Sequence, residues 1–302
     1  VIGFVAVELL GPRISKPRNV GDKEQETMVR IVGDTTSGLS ESFAKAHGIP
    51  IIPQVIIFGD DSYLENVEID YKTFIARLRA SDELPKTAAP PPELFTEVFE
   101  QYAPEGEPFV CILPSAVVSG TVRSATVGLQ MAEEKGLTDL DVRIIDTGLV
   151  ASPVATLLKL AAQWAEAGTS ADEIEQRVRA LSDRGKIYFS VDTLKYLAKG
   201  GRIGGAAALI GSVLKVKPIL TFKEGQIDAF EKVRTHKRMV ERLKQLVREE
   251  IVPENGYLSL MHADAVEEAR AIAAELKAEL GLSEVPILRV PPAVVTHGGP
   301  PV

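Results

Sequence analysis

The stretch Phe109-Val-Cys-Ile-Leu-Pro-Ser115-Ala-Val-Val-Ser119-Gly120-Thr121 leaves a chain few ways to fold. An unbroken apolar run reads as a buried strand. Hydroxyls and a glycine follow at once, and Val122, Ala125, Leu129 and Met131 then fall on one helical face. A buried strand feeding a hydroxyl-rich helix start is a place to hold an anion. The first helical N–H groups lack partners and carry the positive end of the helix dipole. Ser119 and Thr121 add side-chain donors, and Gly120 lets a ligand approach the backbone. The stretch therefore predicts an oxyanion site.

Composition narrows the oxyanion. The net charge of -8 argues against nucleic acid as the main partner, because phosphate backbones need clustered Lys and Arg. Cys111 is the only cysteine, so neither a disulfide within the chain nor a cysteine cluster for zinc can form. A cytoplasmic location fits that usage, and no metal is expected. No apolar run reaches the roughly 18 residues that span a bilayer. Val1 to Leu10 is apolar like the core of a signal segment, but no charged region precedes it and no small-residue cleavage site follows. Residues 11–27 are polar and aperiodic, and Met28-Val-Arg-Ile-Val-Gly-Asp34 then runs straight into a first strand. Residues 1–27 are expected to be a poorly ordered extension left by upstream translation, the alternative being a genuine short amphipathic segment.

Along the rest of the chain strands and helices alternate. Strands are expected at Arg30 to Val32, Ile51 to Phe58, Phe109 to Leu113 and Val142 to Asp146. Helices are expected at Glu41 to His47, Tyr71 to Ala80, Glu93 to Gln101, Thr121 to Lys135 and Leu149 to Ala167. That alternation predicts a Rossmann-like parallel sheet with helices on both faces. Beyond Gly168 the pattern changes. Lys217 to Phe222 and Ile227 to Val233 flank Lys223-Glu-Gly-Gln226 as a hairpin, which implies a mixed sheet. The fold class is α/β with two domains, 28–175 and 176–302, the boundary lying between 165 and 185.

Several motifs occur in one order. They are Val32-Gly-Asp34-Thr-Thr36, Thr87-Ala-Ala-Pro90, Ser115 to Thr121 and Asp146-Thr147 in the first half. Leu197-Ala-Lys-Gly-Gly-Arg202-Ile203, Leu214-Lys-Val-Lys217-Pro218-Ile-Leu and Thr296-His297-Gly-Gly-Pro300 follow in the second. Together they resemble the DegV family of bacterial fatty-acid-binding proteins. The departures are Gly33 for a usual Thr, Ala88 and Ala89 for the polar pair of T-S-Q-P, and Ala116 for a Ser.

The resemblance implies a fatty acid enclosed between the domains, with no other cofactor. It implies carboxylate donors at Thr87, Ser119, Gly120 and Thr121, with His297 nearby. It places Arg202 at the rim, facing phosphate or a partner. Asp34, Thr35, Ser115, Asp146, Thr147 and His262 would surround the head group. Ile203, Ala207, Ile210 and Leu214 would line the acyl cavity. It also implies a non-enzymatic carrier that presents the carboxylate to a kinase subunit. The kinase would make an acyl phosphate for phospholipid synthesis, with transient contact with a membrane surface expected.

The residues alone leave other readings open. Ser119 and Thr121 serve equally as helix caps, and Asp34 and Asp146 as loop-ordering groups, since carboxylates repel a fatty-acid head. Those same strand-end groups also fit a Rossmann-like enzyme acting on a small carboxylate or phosphorylated metabolite. No nucleophile–base spacing supports that enzyme. Gly200-Gly-Arg-Ile-Gly-Gly205 lacks the Lys-Ser/Thr of a phosphate-binding loop and reads as a helix stop.

Overall fold

The computed structural model describes residues 28–299 except 82, 211–215 and 252–255, together with residues 2–5. A strand β1 (Ile2–Val5) comes first. The first lobe then contains β2 (Arg30–Asp34), α1 (Glu41–Ala46), β3 (Ile51–Ile52), β4 (Val55–Phe58), β5 (Asp61–Leu64) and α2 (Tyr71–Ala80). It continues with β6 (Lys86–Ala88), α3 (Pro92–Tyr102), β7 (Phe109–Leu113), α4 (Thr121–Glu134), β8 (Val142–Asp146), α5 (Ser152–Glu166) and α6 (Ala171–Ser182). The second lobe holds β9 (Tyr188–Phe189), α7 (Lys195–Lys199), a 3-10 segment at Gly204–Leu209, β10 (Lys217–Lys223) and β11 (Gln226–Val233). It closes with α8 (His236–Glu250), β12 (Leu260–Ala263), α9 (Val266–Leu280), β13 (Ile287–Arg289) and α10 (Pro292–Gly298).

Every residue of β7 is fully buried, as its unbroken apolar run requires. It lies inside a four-stranded parallel sheet of order β3-β2-β7-β8. From β2 the chain moves outward to β3, and from β7 it moves the other way to β8. The order therefore reverses between β2 and β7, where ligands settle at the carboxyl ends of open α/β sheets. Asp34 ends β2, and the loop to Ser119 leaves β7. A separate antiparallel sheet, β5-β4-β6, brings Thr87 opposite Ile56 beside that crevice.

The second lobe is a six-stranded mixed sheet, β11-β10-β9-β1-β12-β13, in which only the β12–β13 pair is parallel. The expected hairpin is present and turns through Glu224 and Gly225 at positive φ, the two-residue geometry that suits strand twist. Residues 2–5, within the expected extension, form β1. Their Ile-Gly-Phe-Val run pairs antiparallel with β9 on one side and β12 on the other, joining two otherwise separate edges. Residues 6–27 lie outside the described residues. The expected domain boundary at 175 falls inside α6, which packs against α5, β7 and β8 to the end of the first lobe.

On α4 the buried positions are Thr121, Ser124, Ala125, Gly128 and Ala132, whereas Val122 and Leu129 are only partly covered. The buried face is made of small residues because α3 lies directly on it. A Cβ on Gly128 would sit 2.6 Å from the Pro92 carbonyl oxygen and 2.7 Å from the Phe95 Cβ. Gly128→Ala should therefore destabilise the protein by about 1–3 kcal/mol, even though alanine favours a helix interior by about 1 kcal/mol. Urea unfolding checks the sign, and a stabilised variant would contradict the packing described.

Candidate functional site

A pocket with about 710 Å³ of empty space, its open mouth included, lies between the two lobes. Its apolar walls come from both sides: Val118 and Val150 from the first lobe, Phe189, Leu197, Phe222 and Ile227 from the second. Thr87, Ser119, Gly120, Arg202 and His297 line it as well, joined by Thr36 and Gln54. A largely apolar pocket with a few polar groups suits a ligand with a hydrocarbon body and a polar head.

Behind Ser119 lies a hydrogen-bonded chain at the sheet's switch point. The Ser119 Oγ is 2.8 Å from Thr121 Oγ1, and Thr121 Oγ1 is 3.2 Å from Asp34 Oδ2. Gln54 Nε2 donates to both Asp34 Oδ2 and Thr121 Oγ1 at 2.7 Å, and Thr36 Oγ1 donates to Asp34 Oδ1 at 2.6 Å. Asp34 is wholly buried, and desolvation raises its pKa to about 6 despite these donors.

On the facing wall His297 Nε2 and Thr87 Oγ1 are 2.8 Å apart. His297 Nδ1 is buried with no hydrogen-bond partner. Burial and then the nearby Arg202 lower the His297 pKa to about 4, so the ring is neutral at pH 7. An orphaned acceptor costs less than an orphaned N–H, which assigns the ring proton to Nε2. His297 then donates to Thr87, leaving the Thr87 hydroxyl proton free to face a ligand. Gly200 permits this arrangement, since a Cβ there would stand 2.3 Å from His297 Nδ1. Arg202 is held by two carbonyls, donating from Nε to Val118 O at 3.1 Å and from Nη1 to Gly200 O at 2.7 Å. Thr87, Arg202 and His297 also line an outer recess with Lys86 and Lys199, so these polar groups of the pocket have a second, cationic side.

Glu65 fixes α10, the helix that carries His297. It is fully buried, accepts from Thr35 Oγ1, and accepts from the Ala293 N–H at 3.1 Å. Desolvation raises its pKa to about 7, and the charge of Asp34 adds to the effect.

The structure brings Thr87, Ser119, Gly120, Arg202 and His297 together on the pocket and sets Thr121, Asp34 and Thr35 immediately behind it. Other expected members of the head-group neighbourhood lie elsewhere. Ser115 Oγ donates to the Gly225 carbonyl at 2.6 Å and ties the hairpin to the first lobe. Asp146 accepts from the N–H groups of Ala116 and Gly148 and orders that loop. Thr147 donates to the Leu113 carbonyl at 2.8 Å. His262 is buried at the end of β12 and accepts from the Ala265 N–H at 3.2 Å.

The described residues expected to line an acyl cavity do not line this pocket. Ala207 is exposed, Ile210 is 58% exposed, and Ile203 packs into the core without lining the pocket. Residues 204–209 form a 3-10 segment that buries Ala206 and Leu209, while Ala207 and Ala208 are exposed. Leu214 lies outside the described residues. Gln54 and Glu65 had no signal of their own, because polar residues in or beside a β-rich run read as the exposed face of a strand. Among the described residues, no group of three or more His, Cys, Asp or Glu could hold a metal ion. No described helix is long and apolar enough to cross a membrane.

Parallel-sheet topology and an interlobe apolar pocket lined in part by hydroxyls define an α/β binding protein. The sequence pattern of uncharacterised proteins of the DegV family matches residues 28–302. The chain belongs to that family. A DegV domain-containing protein of Halalkalibacterium halodurans is 33% identical over 90% of this chain and 95% of its own. Protein DegV of Bacillus subtilis is 32% identical over 83% of this chain and 88% of its own. Among solved structures, a stearic-acid-binding protein of Eubacterium ventriosum superimposes with a TM-score of 0.83 at 26% identity, covering 90% of this chain and 95% of that one. DegV of Bacillus subtilis, a fatty-acid-binding protein, superimposes with a TM-score of 0.81 at 30% identity, covering 91% of this chain and 96% of that one.

The buried acids make a pH prediction with a definite sign. Glu65 has a folded pKa of about 7 against a model value of 4.5. As pH rises between those values the unfolded chain releases the proton first, so this group's contribution to stability falls with rising pH. His297 acts the other way: with a folded pKa of about 4 against 6.5, it costs stability as pH falls through that window. Relative to wild type, Glu65→Gln should gain about 1–3 kcal/mol on going from pH 5 to pH 8. Urea unfolding at both pH values tests this, and an equal offset at both would contradict it.

Proposed function

We propose that this chain is a fatty-acid carrier rather than an enzyme. It buries one long-chain fatty acid between its lobes and presents the carboxylate to a partner kinase, which converts it to an acyl phosphate. The observation that carries the reading is the lining of the pocket: apolar walls from both lobes together with Thr87, Ser119 and Arg202. Each buried CH₂ contributes about 0.8 kcal/mol, so the hydrocarbon supplies most of the affinity. A bare carboxylate resists burial unless it meets donors. The Thr87 and Ser119 hydroxyls and the Gly120–Thr121 helix start stand where such donors are needed. The outer recess bearing Lys86, Lys199 and Arg202 reaches the same polar groups and supports approach of a phosphoryl donor from outside. The fatty-acid-binding relatives of the same fold support the ligand class.

An enzyme acting on a small carboxylate or phosphorylated metabolite is the competing reading, and the Thr87–His297 pair is its one geometric argument. That pair lacks an acid on His297 Nδ1, and a ring of pKa about 4 is a weak base at neutral pH.

Denaturing extraction and mass spectrometry of the purified protein should recover one fatty acid per chain. Thr87→Ala and Ser119→Ala should each weaken binding of added palmitate by roughly 10–100-fold, the loss of one hydrogen bond to a charged group. A lipid-free protein that binds no palmitate would remove the carrier reading.

A further inference from the structure

The hydroxyls behind Ser119 do not carry enough protons to serve an ionised Asp34 and an ionised ligand at once. Thr121 Oγ1 has three polar neighbours: Gln54 Nε2, Asp34 Oδ2 and Ser119 Oγ. The Gln54 amide can only donate from Nε2, so Thr121 accepts there. An ionised Asp34 only accepts, so the single Thr121 proton goes to Asp34. Ser119 must then give its own proton to Thr121, which turns that proton inward. An incoming carboxylate is also acceptor-only and would meet Ser119 lone pair to lone pair. With a proton on Asp34 Oδ2 the chain reverses. Asp34 donates to Thr121, Thr121 donates to Ser119, and Ser119 donates into the pocket. All the bonds of the network persist in both directions.

We propose that Asp34 is a positioning residue that couples ligand binding to proton uptake: one proton from solvent enters Asp34 for each fatty-acid carboxylate seated on Ser119. The coupling rests on the fatty-acid reading above. It also resolves a conflict within the site, since two anions two hydroxyls apart in a dry cavity repel strongly. Burial already favours the neutral acid, holding the Asp34 pKa near 6 before any ligand arrives, and a neighbouring carboxylate raises it further. The other titratable groups around Asp34 are Glu65, joined through Thr35, and His297 on the far wall, with Arg202 the permanent cation of the pocket. Thr87 needs no such reversal, because His297 already donates to it.

Calorimetry of palmitate binding at pH 7.5, in two buffers of different ionisation enthalpy, reads the proton directly. The full chain should take up close to one proton per palmitate, and its affinity should fall up to tenfold per pH unit above about pH 7. Asp34→Asn, which removes the titrating group, should bind palmitate without proton uptake. Glu65→Gln should retain the uptake. Tight palmitate binding by wild type with no proton uptake overturns this inference alone. Uptake that persists in Asp34→Asn, or disappears in Glu65→Gln, places the proton elsewhere and also overturns it. Wild-type protein that binds no palmitate at any pH overturns the fatty-acid reading itself. Should Asp34→Asn fail to fold, the wild-type and Glu65→Gln measurements still decide.

Discussion

A carboxylate cannot enter an apolar cavity unless donors wait for it, and much of this structure is arranged around that constraint. The donors come from separate elements. Ser119 and Gly120 sit where β7 turns into α4, and Thr87 sits on β6 of a different sheet. Neither position is held locally. Ser119 leans on Thr121, Asp34 and Gln54 across the switch point of the parallel sheet. Thr87 leans on His297, which α10 brings over from the second lobe. The polar groups of the pocket therefore come together only when both lobes are in place.

Buried acids are the cost of this arrangement. Asp34 and Glu65 have no exposed surface, and both are held by hydroxyls and backbone N–H groups rather than by a cation. Their raised pKa values mark groups that are easily neutralised. Neutral acids can donate as well as accept, so a hydroxyl chain attached to one of them can reverse direction without breaking. His297 is the complementary case, a base held neutral by burial and by Arg202.

The alternation of strand and helix and the buried run at 109–113 made the parallel sheet legible, because local periodicity reports burial directly. The hairpin at 217–233 was equally plain from its turn residues. Ser119 had a local signal in the strand-to-helix stretch, though a cap reads the same way, whereas Thr87 and His297 were singled out only through ordered motifs. The residues expected for the acyl cavity fall outside the interlobe pocket for a physical reason. An apolar, small-residue segment such as Gly204–Leu209 buries whichever face its turn geometry selects, and the 3-10 turn puts Ala206 and Leu209 inward and leaves Ala207 exposed. The apolar lining of the interlobe pocket is assembled from Val150, Phe189, Leu197, Phe222 and Ile227, scattered over five segments. Gln54 and Glu65 were illegible because a polar residue gains a buried role only through partners far away in sequence. β1 shows the same limit, since its place is set by edges more than 180 residues downstream.

A crystal structure of the protein with a long-chain fatty acid tests the central claim most directly. The account predicts the carboxylate within hydrogen-bond distance of Thr87 Oγ1 and Ser119 Oγ. The hydrocarbon should run between Val150, Phe189, Leu197 and Phe222. A fatty acid seated elsewhere, or lying with its carboxylate away from both hydroxyls, would contradict it.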